Sequence, residues 1–305
     1  MMNAQASCDW KTVVHYPILL IIVFLISSDF GCGNKPKKSE FSAGNYECTL
    51  FIPDLFSKTA GLIHGFPACT KDMGTIFWPV VPPKVLFSQK INGDWTDPQV
   101  AQFSEGNIQA PFYDISKHRL LFQLSDPEGL GSLDIWYVEN RNSGWSVKRN
   151  LGSPPNSKNL ESQPSVARNG NLYFTGHYKD GCLQRGIYCS TYKNGRYMKP
   201  ELLPETINTP SIDYMPFISP NEDFLLFASS RPSFNEDSLR IFVSLKTSDG
   251  SWSTPVNLNN IVGYNETSRF PCMTPDGRHI IFLSNNMYWK MPVEILNKAK
   301  IIGGK

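Results

Sequence analysis

Five times along this chain a proline is followed, 10 or 11 residues later, by a phenylalanine that closes a short apolar run. The pairs are Pro67 and Phe77, Pro111 and Phe122, Pro164 and Phe174, Pro216 and Phe227, and Pro271 and Phe282; the prolines stand 44, 53, 52 and 55 residues apart. A period of this kind dictates architecture, so it outranks local propensity. A second set of marks keeps the same phase. Apolar stretches recur at Val85-Leu86-Phe87, Ile135-Trp136-Tyr137, Ile187-Tyr188-Cys189 and Ile241-Phe242-Val243. After each comes a glycine-containing turn and an aromatic residue: Trp95, Trp145, Tyr197 and Trp252.

Each unit therefore reads as four short strands. Asn169-Gly170 and Asp276-Gly277 supply the positive φ that a tight hairpin needs. Proline at the head of a strand is tolerated, because that position can forgo a ladder donor. The recurring Trp or Tyr reads as a wedge between neighbouring sheets. Four-stranded units of roughly 40–55 residues in tandem specify an all-β fold, a β-propeller. Five blades are expected, or six if residues 41–62 hide a degenerate one. The fifth unit stops after Tyr288-Trp289-Lys290-Met291, short of an outer strand, and residues 45–62, with Thr49-Leu50-Phe51, are placed to supply it. Closure by pairing N- and C-terminal strands would leave no open edge there. Residues 293–300 read as a last helical turn or an extended cap. Composition agrees: 22 Gly and 23 Pro with only 18% charged residues disfavour bundles and coiled coils. The net charge of +2 excludes the strongly basic footprint of a nucleic-acid binder.

Residues 18–26, ILLIIVFLI, are too few to span a bilayer, which takes roughly 20 apolar residues, and have the length of a signal-peptide core. Gly31-Cys32-Gly33 resembles the cleavage site of bacterial lipoproteins, which implies lipidation of Cys32. A plain secretory signal or an uncleaved anchor are the alternatives. The expected division is a signal peptide over 1–31, a polar tether over 32–44 and the propeller domain over 45–305, in a protein exported to the periplasm or cell envelope.

The segments Pro216-x-x-Ser219-Pro220-Asn221-Glu222-Asp223 and Pro271-x-x-Thr274-Pro275-Asp276-Gly277-Arg278 resemble the WD40-like, TolB-type β-propeller repeat. The closing Tyr288-Trp289-Lys290-Met291 is similar to the end of a group of exported bacterial propellers. The resemblance covers residues 45–298 and implies an envelope location with a binding or scaffolding role. Its motifs mark turns and strands rather than chemistry. TolB itself carries an extra N-terminal domain for which this chain has no room, so its role does not transfer.

No nucleophile elbow, Cys-x-x-Cys or His-x-x-x-His occurs, and no catalytic residue, metal or cofactor is assigned. In a propeller the loops leading into the innermost strands converge on one mouth of the central channel. Here they carry His64, Gln109, Glu161, Asp213, Tyr214 and Arg269, which together could bind a small polar ligand such as a sugar. The alternative is that they satisfy loop backbone and one another around a water-filled channel. Loops after the second strands add His177, Arg231 and Asp237. Cys182 and Cys189 could bridge across a hairpin, and Cys69 and Cys272 read as small core residues. The expected function is a non-catalytic, monomeric module that binds an envelope protein or glycan and meets the membrane only through a lipid. The rival is a polysaccharide-acting glycoside hydrolase or lyase. For that, Glu161 and Asp213 would have to present carboxyls about 5–10 Å apart in one cleft.

Overall fold

The computed structural model describes residues 41–303 apart from 44, 45, 142, 143, 181 and 234, so the signal segment and Cys32 lie outside the described residues. Among the described residues five antiparallel sheets of four or more strands follow one another as blades, and a two-stranded hairpin, Tyr192–Lys193 with Arg196–Tyr197, extends the third. The innermost strands of blades 2 to 5 are Gln109–Asp114, Leu160–Val166, Asp213–Ile218 and Arg269–Met273. In blade 1 the inner position is split between Leu62–Ile63 and Ala68–Cys69, both paired with Thr75–Val81. The repeat count of five is thus the blade count.

The repeat phenylalanines explain why the period produces blades. All five sit on second strands and are at most 3% exposed. Each stands in register with an aromatic on the third strand: Phe77 with Phe87, Phe122 with Trp136, Phe174 with Tyr188, Phe227 with Phe242, and Phe282 with Trp289. Three of these pairs stack at 6.0–6.1 Å. Directly opposed aromatics of this kind are a principal source of sheet stability. The turn aromatics act between blades. Trp145 of blade 2 lies edge-on to Phe77 of blade 1 at 5.5 Å, and Trp252 of blade 4 shares a core with Tyr173 and Ile187 of blade 3.

A second repeated device was not read from the sequence. The third-strand amides of Val85, Ile135, Ile187 and Ile241 donate to the side chains of Ser104, Asn156, Asn208 and Asn259 in the connection to the next blade. Asn156 and Asn208 donate back to the carbonyl of the same isoleucine. Where the outer strand is too short to pair the whole third strand, these side chains meet the backbone's obligatory hydrogen bonds.

The ring closes as the short fifth unit requires. Tyr46–Leu50 pairs with Met287–Pro292, Thr49 opposite Lys290 and Leu50 opposite Trp289. Phe41–Ala43, at the end of the span read as tether, adds a further strand outside it. The seam from blade 5 to blade 1 is largely apolar: Phe56 packs edge-on against Trp78 at 5.2 Å and Tyr288 at 4.7 Å. The Tyr288 hydroxyl donates to the Gly65 carbonyl across it at 2.9 Å. Residues 295–303 form the helix Ile295–Gly303, not an extended cap.

One expectation is corrected. Cys182 and Cys189 lie on the same strand, Cys182–Ser190, seven residues apart. At about 3.3 Å per residue their backbones are far beyond disulfide reach. Cys69 and Cys272 are buried free thiols on inner strands, as expected.

The aromatic pairs give a direct test. Phe227→Ala should destabilise the fold by about 3–5 kcal/mol in a denaturant titration. Val147→Ala, at a site 79% exposed, should change it by less than about 0.5 kcal/mol.

Candidate functional site: the channel mouth

The mouth is shaped by a backbone feature that repeats with the proline. Ala110, Gln163, Met215 and Phe270 each precede the repeat proline and hold φ of 49°, 56°, 58° and 53°. A residue with a Cβ costs about 1–2 kcal/mol in this left-handed region. The ladder slips register at each of these points. Such bulges bend a strand and re-aim the side chains beside them.

In blades 3 and 4 the bulge amides are taken by the preceding blade. Gln163 N–H donates to Gln123 Oε1 at 3.1 Å, and Met215 N–H to Thr175 Oγ1 at 3.1 Å. Thr175 Oγ1 in turn donates to Gln163 Oε1 at 2.7 Å, and Gln123 Nε2 to Gln109 Oε1 at 3.2 Å. A polar seam therefore runs through blades 2, 3 and 4. Gln109, read as a ligand group, belongs to it.

Alternation along each inner strand sorts the other candidates. Glu161 and Asp213 sit three residues before their prolines and turn towards their own loops. Buried Glu161 accepts from Ser157 N–H at 3.0 Å and Ser157 Oγ at 2.7 Å. Asp213 accepts from Thr209 N–H and Oγ1 at 2.7 and 2.6 Å, and from Arg231 Nη2 at 2.7 Å. Arg231 also donates to the Ile207 carbonyl and lies 5.1 Å over the Phe227 ring. Both carboxylates, and Arg231 with them, are occupied in fixing loops.

Tyr214 and Arg269 sit two residues before their prolines and reach the mouth. Tyr214 is 5% exposed, and burial pushes its phenol up to about 12, so it is a neutral donor. Arg185 of blade 3 stacks over its ring at 5.0 Å. His64 of blade 1 is exposed and meets Phe270 of blade 5 edge-on at 5.1 Å. The protein packed about its ring, reinforced by the Arg269 charge, lowers its pKa, and Glu236 opposes this. Arg269 and Glu236 act on Tyr214 as well. Thus His64, Tyr214 and Arg269 come together, joined by Arg185 and Glu236, which sequence reasoning missed. Arg185 was within reach of it: it stands opposite His177 in the hairpin of blade 3. Among the described residues neither Arg185 nor Arg269 makes an ion pair.

The floor below this group is apolar. Phe112 of blade 2 and Phe217 of blade 4 approach to 6.4 Å, and since those blades are not neighbours the contact crosses the ring. Side chains of these two blades therefore meet across the axis.

No family model and no curated protein matches the sequence. Several solved structures are similar to it. An endo-arabinase from Bacteroides thetaiotaomicron is 16% identical, covering 77% of this chain and 95% of its own, with a TM-score of 0.56. An α-L-arabinofuranosidase from Lactobacillus brevis is 13% identical, with coverage of 76% and 91% and a TM-score of 0.51. TolB from Acinetobacter baumannii is 16% identical over 75% of this chain, with a TM-score of 0.46; this chain spans 54% of that one. At such identities what is shared is the fold.

His177 carries the pH prediction. Burial, and secondarily Arg185, lower its pKa from 6.5 to about 4, and His64 and His279 shift the same way. The unfolded chain then binds more protons than the folded one between these values, so stability rises with pH across that window. Unfolding midpoints measured from pH 7 to pH 4 should fall as pH falls, and His177→Gln should flatten the decline.

Proposed function

We propose that this protein is an exported, non-catalytic propeller that binds a protein or glycan at the bacterial cell envelope through the channel mouth. One observation carries this reading. Donors from four blades (His64, Arg185, Tyr214 and Arg269) gather at the mouth, while Glu161 and Asp213 are committed to Ser157, Thr209 and Arg231. A rigid ring that holds, among the described residues, two arginines without an ion-pair partner suits recognition of an acceptor-rich surface. On this reading residues 1–31 direct export, Cys32 carries the lipid and the polar segment after it tethers a monomeric domain to the membrane surface. The loop around Asp237 is a second contact for a protein partner.

The second reading is a glycoside hydrolase or lyase, prompted by the fold shared with an endo-arabinase and an arabinofuranosidase. It needs two carboxyls facing one cleft at about 5–10 Å. Glu161 and Asp213 are poor candidates, because each is already held by its own loop.

Capture from envelope extracts, run beside a glycan array, tests the proposal. Arg269→Ala combined with His64→Ala should weaken binding by roughly tenfold or more, the effect of losing one to two charge-assisted contacts. Undiminished capture by the folded double variant would contradict it.

A further inference from the structure

A separate cleft lies between blades 2 and 3, at the outer end of their turns. Its volume is about 470 Å³, within the roughly 300–1,000 Å³ usual for small-molecule sites. Lys117, Arg119 and Tyr137 of blade 2 form one side, and Tyr192, Arg196 and Tyr197 of the blade 3 hairpin form the other. Leu151, Ser153 and Pro154 complete the wall.

The cleft is preorganised around a buried cation. Arg119, 7% exposed, donates from Nε to Asp114 Oδ2 at 3.0 Å and from Nη2 to the Tyr197 hydroxyl at 3.1 Å. Its guanidinium lies 5.2 Å from the centre of the Tyr137 ring. Asp114 neutralises this arginine and also accepts from Ser116 and from the Lys117 amide, so its capacity is taken up. Lys117 is exposed, but its side chain lies along the hairpin of blade 3. Its Nζ rests 3.8 Å from the centre of the Tyr192 ring and 6.0 Å from that of Tyr197. Among the described residues neither Lys117 nor Arg196 has an ion-pair partner. Two positive charges are thus uncompensated in a concave site walled by tyrosine.

We infer that this cleft binds a carboxylate-bearing sugar ring, a uronic acid residue of an acidic saccharide. Lys117 and Arg196 match the carboxylate. Tyrosine, leucine and proline surfaces match the C–H face of a pyranose, and the Ser153 and Tyr137 hydroxyls can bond ring hydroxyls. A simple inorganic anion would use the charges and leave the walls idle.

Calorimetric titration of the folded protein with digalacturonate, neutral digalactose and inorganic phosphate tests this. Digalacturonate should bind, digalactose and phosphate at least about tenfold more weakly, and affinity should fall with salt. Lys117→Ala with Arg196→Ala should weaken digalacturonate binding roughly tenfold or more, since both side chains are on the surface and the Arg119 cluster is untouched. Arg269→Ala at the channel mouth should leave it unchanged. Absence of digalacturonate binding, equal binding of the neutral sugar, full competition by phosphate, or loss through Arg269→Ala instead would each overturn the inference. Only the last of these outcomes would bear on the channel mouth, by moving the saccharide there; the others leave the reading of the mouth untouched.

Discussion

The left-handed residue ahead of the repeat proline interrupts the inner-strand ladder in four of the five blades. An interrupted ladder leaves a backbone amide that must find another partner when buried. In blades 3 and 4 that partner is a side chain of the preceding blade, Gln123 or Thr175. In those two blades the irregularity that bends the strand therefore also couples it to its neighbour. Blades 2 to 4 are joined by amides and hydroxyls, whereas the seam from blade 5 to blade 1 is joined by Phe56, Trp78 and Tyr288. The ring thus has a polar arc and an apolar clasp.

The composition of the mouth follows from this backbone. One step before the bulge, Tyr214 and Arg269 are aimed inward; one step earlier, Glu161 and Asp213 are drawn back to Ser157 and Thr209. Acid leaves the rim and donors stay, with Glu236 the carboxylate that acts on them. An uneven sign at a concave site selects ligands by charge before contact is made. The cleft between blades 2 and 3 has the same imbalance, reached independently, because Asp114 is taken by Arg119 and Lys117 and Arg196 have no ion-pair partner among the described residues.

The ring was legible in the sequence because its strongest signals are one-dimensional. The proline–phenylalanine spacing fixes a second strand, and Phe174 or Phe227 is buried wherever its blade is placed. The missing outer strand pointed to Tyr46–Leu50 by the same logic. What stayed hidden depends on side-chain direction. A bulge shifts which of two adjacent residues faces the axis, so Glu161 and Tyr214 looked equivalent in the loops and are not. A sequence sign was present: Ser157 and Glu161, like Thr209 and Asp213, are four residues apart at matching points of successive units. The Cys182–Cys189 reading failed because that strand is nine residues long, longer than the repeat period alone suggested.

The central claim is that the bulge amides of blades 3 and 4 are each held by the blade before them. Amide hydrogen exchange at Met215, compared between the wild type and Thr175→Val, tests this most directly. Valine keeps the shape of threonine and removes the nearer of the two blade 3 acceptors of this amide, the other being Gln163 Oε1 at 3.3 Å. The account predicts that exchange at Met215 accelerates by roughly tenfold or more while residues 224–229 of the neighbouring strand keep their protection. Unchanged exchange at Met215 in folded Thr175→Val and in folded Thr175→Val with Gln163→Ala, which removes both acceptors, would contradict it.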